Sequence, residues 1–327
     1  MTAAKPFIGH AKALDEFKRA FVSGRMPHAW LITGIEGIGK ATFAKHVAQF
    51  VLSEGAGDLG ELDPRRNAGK QADAESHPDL MIIRRRPDEK TGLPRDIIPV
   101  EEVQKIPPFL HLTSSHGGWR IVIIDEAHAL NRFGQNAILK SVEEPPRRTL
   151  VLLTATTPGV LLPTIRSRTR TLPLLPLEAA DMRALLADAA TRLPPEDIEA
   201  VIELSEGSIG FALKIIRADA LPLYRDMAAL MDAMPKMDIA AAHQLADQVS
   251  RKADSEAFAV LKALLISRLR AEAQKEAHLF PEGRADLALE AWEKTRAVFA
   301  SAEASNLDKK TAFVTALCGI RAGEMTR

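Results

Sequence analysis

The chain has 327 residues, of which 46% are hydrophobic, with 43 Lys plus Arg balanced by 43 Asp plus Glu. A formal net charge of zero excludes a global field drawing the molecule onto nucleic acid or a membrane surface, so any DNA contact must come from a local patch or from partners. A single cysteine, Cys318, excludes an internal disulfide and fits a reducing compartment; it reads as a small buried hydrophobe rather than a reactive thiol.

The first residues lack an apolar h-region, and no run reaches the roughly 18 apolar residues of a membrane span. A soluble, cytoplasmic protein without a membrane partner is expected. Residues 11–23, AKALDEFKRAFVS, place Leu14, Phe17, Ala20 and Phe21 on one helical face. Ala29–Thr33 is a strand-like apolar run that leads into Gly34-Ile35-Glu36-Gly37-Ile38-Gly39-Lys40, and a helix is expected from about Ala41 to Leu52. Strand, glycine turn and helix are the context a phosphate-binding loop requires, and the spacing is GxxxxGK. Successive backbone N–H groups and a helix N-terminus cradle phosphate oxygens there, and Lys40 is aimed at the β and γ phosphates.

Gly34, Gly37, Gly39, Lys40, Ala41 and Thr42 are therefore candidate nucleotide-binding residues, with ATP or ADP as the ligand. The residue after the lysine is usually Ser or Thr, whose hydroxyl binds Mg²⁺. Here it is Ala41, and Thr42 comes one position late. One helical step turns a side chain by about 100°, which points Thr42 away from the metal. The motif reads as a real or ancestral phosphate loop, with a chance glycine turn as the plainer alternative; Mg²⁺-dependent hydrolysis is not expected from it.

Residues 53–79 are polar, rich in Gly and Asp and without periodicity, as in a long surface insertion. His77 has no cysteine and no second histidine near it, so it reads as structural rather than as a metal ligand. Leu80–Ile83 resume as a strand, and the following Arg84-Arg85-Arg86 reads as a solvated edge, with a phosphate contact as the alternative. A helix is expected over 101–109.

The apolar run 121–124 ends on Asp125-Glu126, and the run 149–153 ends on Thr154, Thr156 and Thr157, with a helical pattern through Ile138, Val142 and SVEEPP between them. Short continuous apolar runs are buried parallel strands, and ligands bind at the carboxyl ends of such strands. Downstream of a phosphate loop, Asp125 is the expected Mg²⁺ carboxylate and Glu126 the residue that polarises attacking water. An acidic helix start is the plainer alternative, but it accounts for only one of the two. DEAH at 125–128 also matches a helicase box, with none of the other helicase blocks present. Beyond the Pro173–Pro176 break, helices are expected at 177–191, 195–204 and 207–216, then at 221–234, 238–250, 254–275, 285–301 and 307–322.

Together, residues 7–42, the stretch IVIIDEAHALNRFGQNAILKSVEEPP and PTIRSRT resemble bacterial DNA polymerase III clamp-loader subunits. The resemblance covers the first 215 residues well and the helical tail only in architecture. It implies an α/β AAA+ P-loop core with a parallel sheet (1–173), a small three-helix lid (174–217) and an all-α collar (218–327) that assembles with delta and gamma/tau subunits in a pentameric ring. That ring uses ATP to open the sliding clamp and place it on primed DNA. The family's SRC motif falls on Ser167-Arg168-Thr169, with Thr169 in place of its cysteine, and implies that Arg168 is an arginine finger for a neighbour's ATP site; a surface salt-bridge partner is the plainer alternative.

Three departures accompany the resemblance. Ala41 replaces the magnesium hydroxyl, Phe211 stands where active members carry a lid arginine, and the four zinc cysteines expected in 53–76 are missing, so zinc is not carried over. The first two place the resemblance nearer the delta-prime branch than the gamma/tau branch. They imply a subunit without its own turnover, in which Glu126 is vestigial. An active gamma/tau-like ATPase, another AAA+ regulator and a DEAH-type helicase are the rival readings.

Overall fold

The computed structural model describes residues 7–55, 59, 77–86, 95–114, 118–191, 193–234, 236–251, 256–279, 285–305 and 308–324. The expected 53–79 insertion, with the segment where zinc cysteines would fall, lies largely outside them. The chain divides into two compact units, residues 1–186 with 206–210 and residues 187–205 with 211–327. The span 174–217, expected as a separate lid, is thus divided between the two.

The first unit is built on a 5-stranded sheet in the order β2-β3-β4-β1-β5. The strands are β1 (Ala29–Thr33), β2 (Leu80–Ile83), β3 (Arg120–Ile124), β4 (Thr149–Ala155) and β5 (Arg170–Pro173), and every neighbouring pair is parallel. Helices α1 (Ala11–Val22), α2 (Lys40–Leu52), α3 (Val100–Val103), α4 (Ile106–His111), α5 (Arg132–Glu143), α6 (Pro163–Arg168) and α7 (Ala179–Leu186) complete it. Alternation along each strand divides the core. Trp30, Ile32, Ile121, Ile123, Leu150 and Leu152 pack on one face with Phe17, Phe43 and Val47. Leu31, Val122, Ile124, Val151 and Leu153 pack on the other with Ile98, Ile138 and Val142. Both faces are covered, which is why the central strands read as unbroken apolar runs.

Some local features differ from expectation. β5 is an additional strand, pairing with β1 from Trp30↔Arg170 to Thr33↔Pro173. The helix expected over 101–109 is two short ones, α3 and α4. Pro107 and Pro108 lie in the first turn of α4, where a missing N–H costs nothing. The helix expected at 177–191 ends at Leu186. His77 is buried, and its Nδ1 accepts a hydrogen bond from Asp79 N at 3.0 Å, which shapes the entry to β2.

The second unit is helical among the described residues: α8 (Pro195–Leu204), α9 (Ile209–Arg217, entering it at Phe211), α10 (Ala220–Asp232), α11 (Ile239–Arg251), α12 (Glu256–Leu279), α13 (Ala285–Ala304) and α14 (Lys309–Glu324). α12 packs on α13, α13 on α14, and α11 on α14. Phe258, Phe299 and Phe313 meet at the centre with ring centroids 6.0–6.3 Å apart. Cys318 is half-buried on α14. No helix is long and apolar enough to cross a membrane among the described residues.

Candidate functional site

β1 delivers the chain into the loop Gly34–Gly39, and α2 carries it away. The loop needs glycine at two places for definite reasons. At Gly34, φ is 154° and a Cβ would sit 2.8 Å from the Leu174 carbonyl oxygen. At Gly37, φ is 74°, in the left-handed region that L side chains rarely enter. Lys40 opens α2 and is buried, and its Nζ donates to Gly34 O at 2.9 Å and Ile35 O at 2.7 Å. Burial lowers its pKa, while the charges of Asp125, Glu36 and Glu126 act in the opposite direction. An ammonium has three donors, so these two carbonyls leave one for an anion. Ala41 is half-buried and brings no oxygen, whereas Thr42 is exposed.

β4 lies between β1 and β3, so its carboxyl end separates the loop from the acidic pair. Thr154, at that end, is fully buried. Its hydroxyl donates to Asp125 Oδ1 at 2.7 Å and accepts from the Glu126 N–H at 2.8 Å. Sequence reasoning placed Thr154 at a strand tip without assigning it a partner; this pairing is its role.

Glu126 has left-handed backbone angles, φ 57° and ψ 50°. Its carboxylate is held by Arg85, with Nε 2.5 Å from Oε2 and Nη2 2.7 Å from Oε1. The expectation of a solvated edge therefore fails for Arg85: its side chain is two-thirds buried and makes a bidentate ion pair, and the hydrogen bonds to Glu126 raise its pKa. The signal was available in the strand register. Ile83 pairs with Ile124, so residues two beyond each strand end, Arg85 and Glu126, come out side by side.

Arg168 ends α6. Its Nε lies 3.2 Å from Glu143 Oε1 and its Nη1 donates to Thr164 O at 3.3 Å, with the side chain 43% exposed. Its partners are on α5 and α6, not on the loop. Gln135, which the sequence did not single out, anchors this region: Nε2 donates to Leu130 O at 3.0 Å and Val160 O at 3.4 Å, and Oε1 accepts from Leu162 N at 2.7 Å, immediately before α6. No group of three or more His, Cys, Asp or Glu among the described residues is arranged to hold a metal ion.

The loop with Lys40 and the Thr154-braced Asp125 lie at neighbouring strand ends, whereas Arg168 stands apart from them on α6. The family model described as DNA polymerase III, delta subunit, matches residues 9–178, just over half of the chain. The chain belongs to this family. It is 37% identical over 186 residues to the DNA polymerase III subunit delta' of Pseudomonas aeruginosa, covering 55% of this chain and 53% of that one. It is 28% identical over 217 residues to the DNA polymerase III subunit gamma of Buchnera aphidicola, covering 65% and 57%. The matched region thus spans about half the length of these curated relatives. Among solved structures, a DNA polymerase III, gamma subunit-related protein from Thermotoga maritima superposes with a TM-score of 0.47 at 17% identity, covering 95% of this chain and 99% of that chain.

Proposed function

We propose that the chain is a delta-prime-type, non-hydrolysing subunit of a DNA polymerase III clamp loader. In this reading it works in the cytoplasm with delta and gamma/tau subunits in a pentameric ring that uses ATP to open a sliding clamp and place it on primed DNA. The single observation that carries the reading is the Arg85–Glu126 ion pair, in a site whose first helical turn supplies Ala41 where a metal-binding hydroxyl would stand. A carboxylate that accepts two guanidinium hydrogen bonds is turned away from polarising water. Membership of the delta subunit family and the delta' relative support the same assignment.

The loop's donor set fits a phosphate group: positive-φ glycines, the N-terminus of the 13-residue helix α2, and the ammonium of Lys40. ATP or ADP would be held there by the backbone from Gly37 to Thr42 and by Lys40, supplying a charged ligand and no hydrolysis in place. No zinc is assigned. The chemistry is delivered outward. Arg168 would leave its exposed partner Glu143 for the γ-phosphate of a neighbour's ATP, where such an arginine stabilises transition-state charge by on the order of 10³ or more in rate.

The deciding experiment measures ATP turnover, stimulated by clamp and primed DNA, in a loader reconstituted with this chain or with Arg168→Ala. The chain alone serves as baseline. A silent baseline and a large loss with the variant are expected. Steady turnover by the chain alone, unaffected by Arg168→Ala, would instead establish the gamma/tau-like ATPase, a reading that Lys40 and Glu126 keep open by being present.

A further inference from the structure

Every backbone carbonyl from Gly34 to Gly39 is engaged by a donor. Lys40 serves the first two, and Gly39 O accepts from Phe43 N at 2.8 Å as part of α2. The carbonyls between them are met from elsewhere in the chain. Ser208 Oγ donates to Glu36 O at 2.8 Å, Gly210 N donates to Gly37 O at 2.8 Å, and His10 Nε2 lies 3.0 Å from Ile38 O. A carbonyl only accepts, so Nε2 is the nitrogen of His10 that carries hydrogen.

The C=O and N–H of one trans, planar peptide unit point in opposite directions. Holding the carbonyls of Glu36, Gly37 and Ile38 toward Ser208, Gly210 and His10 therefore turns the N–H groups of Gly37, Ile38 and Gly39 away from those partners. The geometry points to Ser208, Gly210 and His10 as positioning residues that set the loop in its anion-accepting form before a phosphate arrives. Ser208 is 3% exposed, so little water competes for its hydroxyl. Gly210 admits no side chain. A Cβ there would stand 2.7 Å from Gly37 Cα and 3.0 Å from Gly37 O, so glycine is what lets this N–H reach the loop. The GSIG stretch thus holds the loop backbone, although the residue that follows it, Phe211, brings no charge to a phosphate.

This inference does not depend on Arg168, and its test separates the two. The full chain is titrated calorimetrically with inorganic pyrophosphate in the absence of Mg²⁺, as wild type and as Ser208→Ala, Ser208→Thr, Gly210→Ala and Lys40→Ala, with a thermal melt of each. Wild type binds, and Lys40→Ala abolishes binding, which locates the probe in the loop. Ser208→Ala weakens binding about fivefold, the worth of one hydrogen bond of about 1 kcal/mol, with the melting temperature lowered by only about 2–4 °C. Ser208→Thr restores it, and Gly210→Ala loses about tenfold or more through the backbone wedge. If Gly210→Ala fails to fold, the Ser208 pair decides alone. Equal affinity in wild type, Ser208→Ala and Gly210→Ala overturns the positioning role. No binding by wild type overturns the preset cradle altogether, and leaves the reading of Arg168, which acts at a neighbour's site, untouched.

Discussion

Arg85 and Glu126 form a two-point ion pair: Nε meets Oε2 at 2.5 Å and Nη2 meets Oε1 at 2.7 Å. On the proposed non-hydrolysing reading, breaking it is not enough to create an ATPase, because Ala41 brings no hydroxyl to hold Mg²⁺. Steady-state phosphate release from the chain alone is expected to stay at background for wild type, Arg85→Ala and Ala41→Thr taken singly. The combined variant of the chain alone is expected to stay near background too, since Phe211 still stands in place of the lid arginine and no neighbour supplies an arginine finger; steady turnover by it would overturn this. Both side chains are about a third exposed, so Arg85→Ala should lower stability by no more than about 1 kcal/mol in a denaturant titration.

Arg168 should prove dispensable for folding. Its bond to Glu143 joins two exposed groups, 43% and 39% accessible, and such pairs contribute at most about 1 kcal/mol. Arg168→Ala is expected to leave the melting temperature unchanged, even though the turnover of the assembled loader falls steeply. Arg168→Lys should not restore that turnover, since a point charge does not reproduce the planar fork. Melting and turnover measured on the same preparations check both statements.

Gln135 is the opposite case. It is buried, and Gln135→Leu would leave the N–H of Leu162 and the carbonyl of Leu130 without this partner. A loss of about 2–3 kcal/mol is expected in equilibrium unfolding. Because Leu162 precedes α6, the same variant should also reduce loader turnover, and Gln135→Glu, which keeps an acceptor for Leu162, should reduce it less.

Two histidines predict the response to acid. His10 lies edge-on to Phe43 with ring centroids 6.3 Å apart, and His46 stacks on Phe7 at 4.4 Å and bonds Leu59 O. Burial lowers both pKa values from the ordinary 6.5, outweighing the bond to Ile38 and the charge of Asp181 at His10 and the bond to Leu59 at His46. The unfolded chain therefore takes up protons first as the pH falls. Stability from these groups is full above about 6.5, declines below it, and is lost once the pH has fallen through the depressed folded-state values. Melting temperatures between pH 8 and 5 should show this fall, and His46→Phe should flatten it.

The central strands were legible in the sequence because burial on both faces leaves them uniformly apolar, as in IVII and LVLL. β5 was not, since among Arg170, Thr171, Leu172 and Pro173 only Leu172 is buried and no apolar run exists to notice. The loop and the acidic pair were legible from spacing alone. The Arg85 pairing was hidden among three arginines of identical local character, and only the alignment of β2 with β3 distinguishes the middle one. The hold of Ser208 on Glu36 spans 172 residues, and no local pattern announces a contact at that distance.

The two edges of the sheet also bear on how the protein behaves on its own. An unprotected edge strand is a template for another chain, and short strands, charge and proline blunt it. β2 has 4 residues and runs into Arg84-Arg85-Arg86; β5 also has 4, begins with an exposed arginine and closes on a proline that has no N–H to offer. Neither margin invites a foreign strand. The isolated molecule is therefore protected against stacking into aggregates through its sheet, and any association is left to surfaces where side chains, rather than backbone, choose the partner.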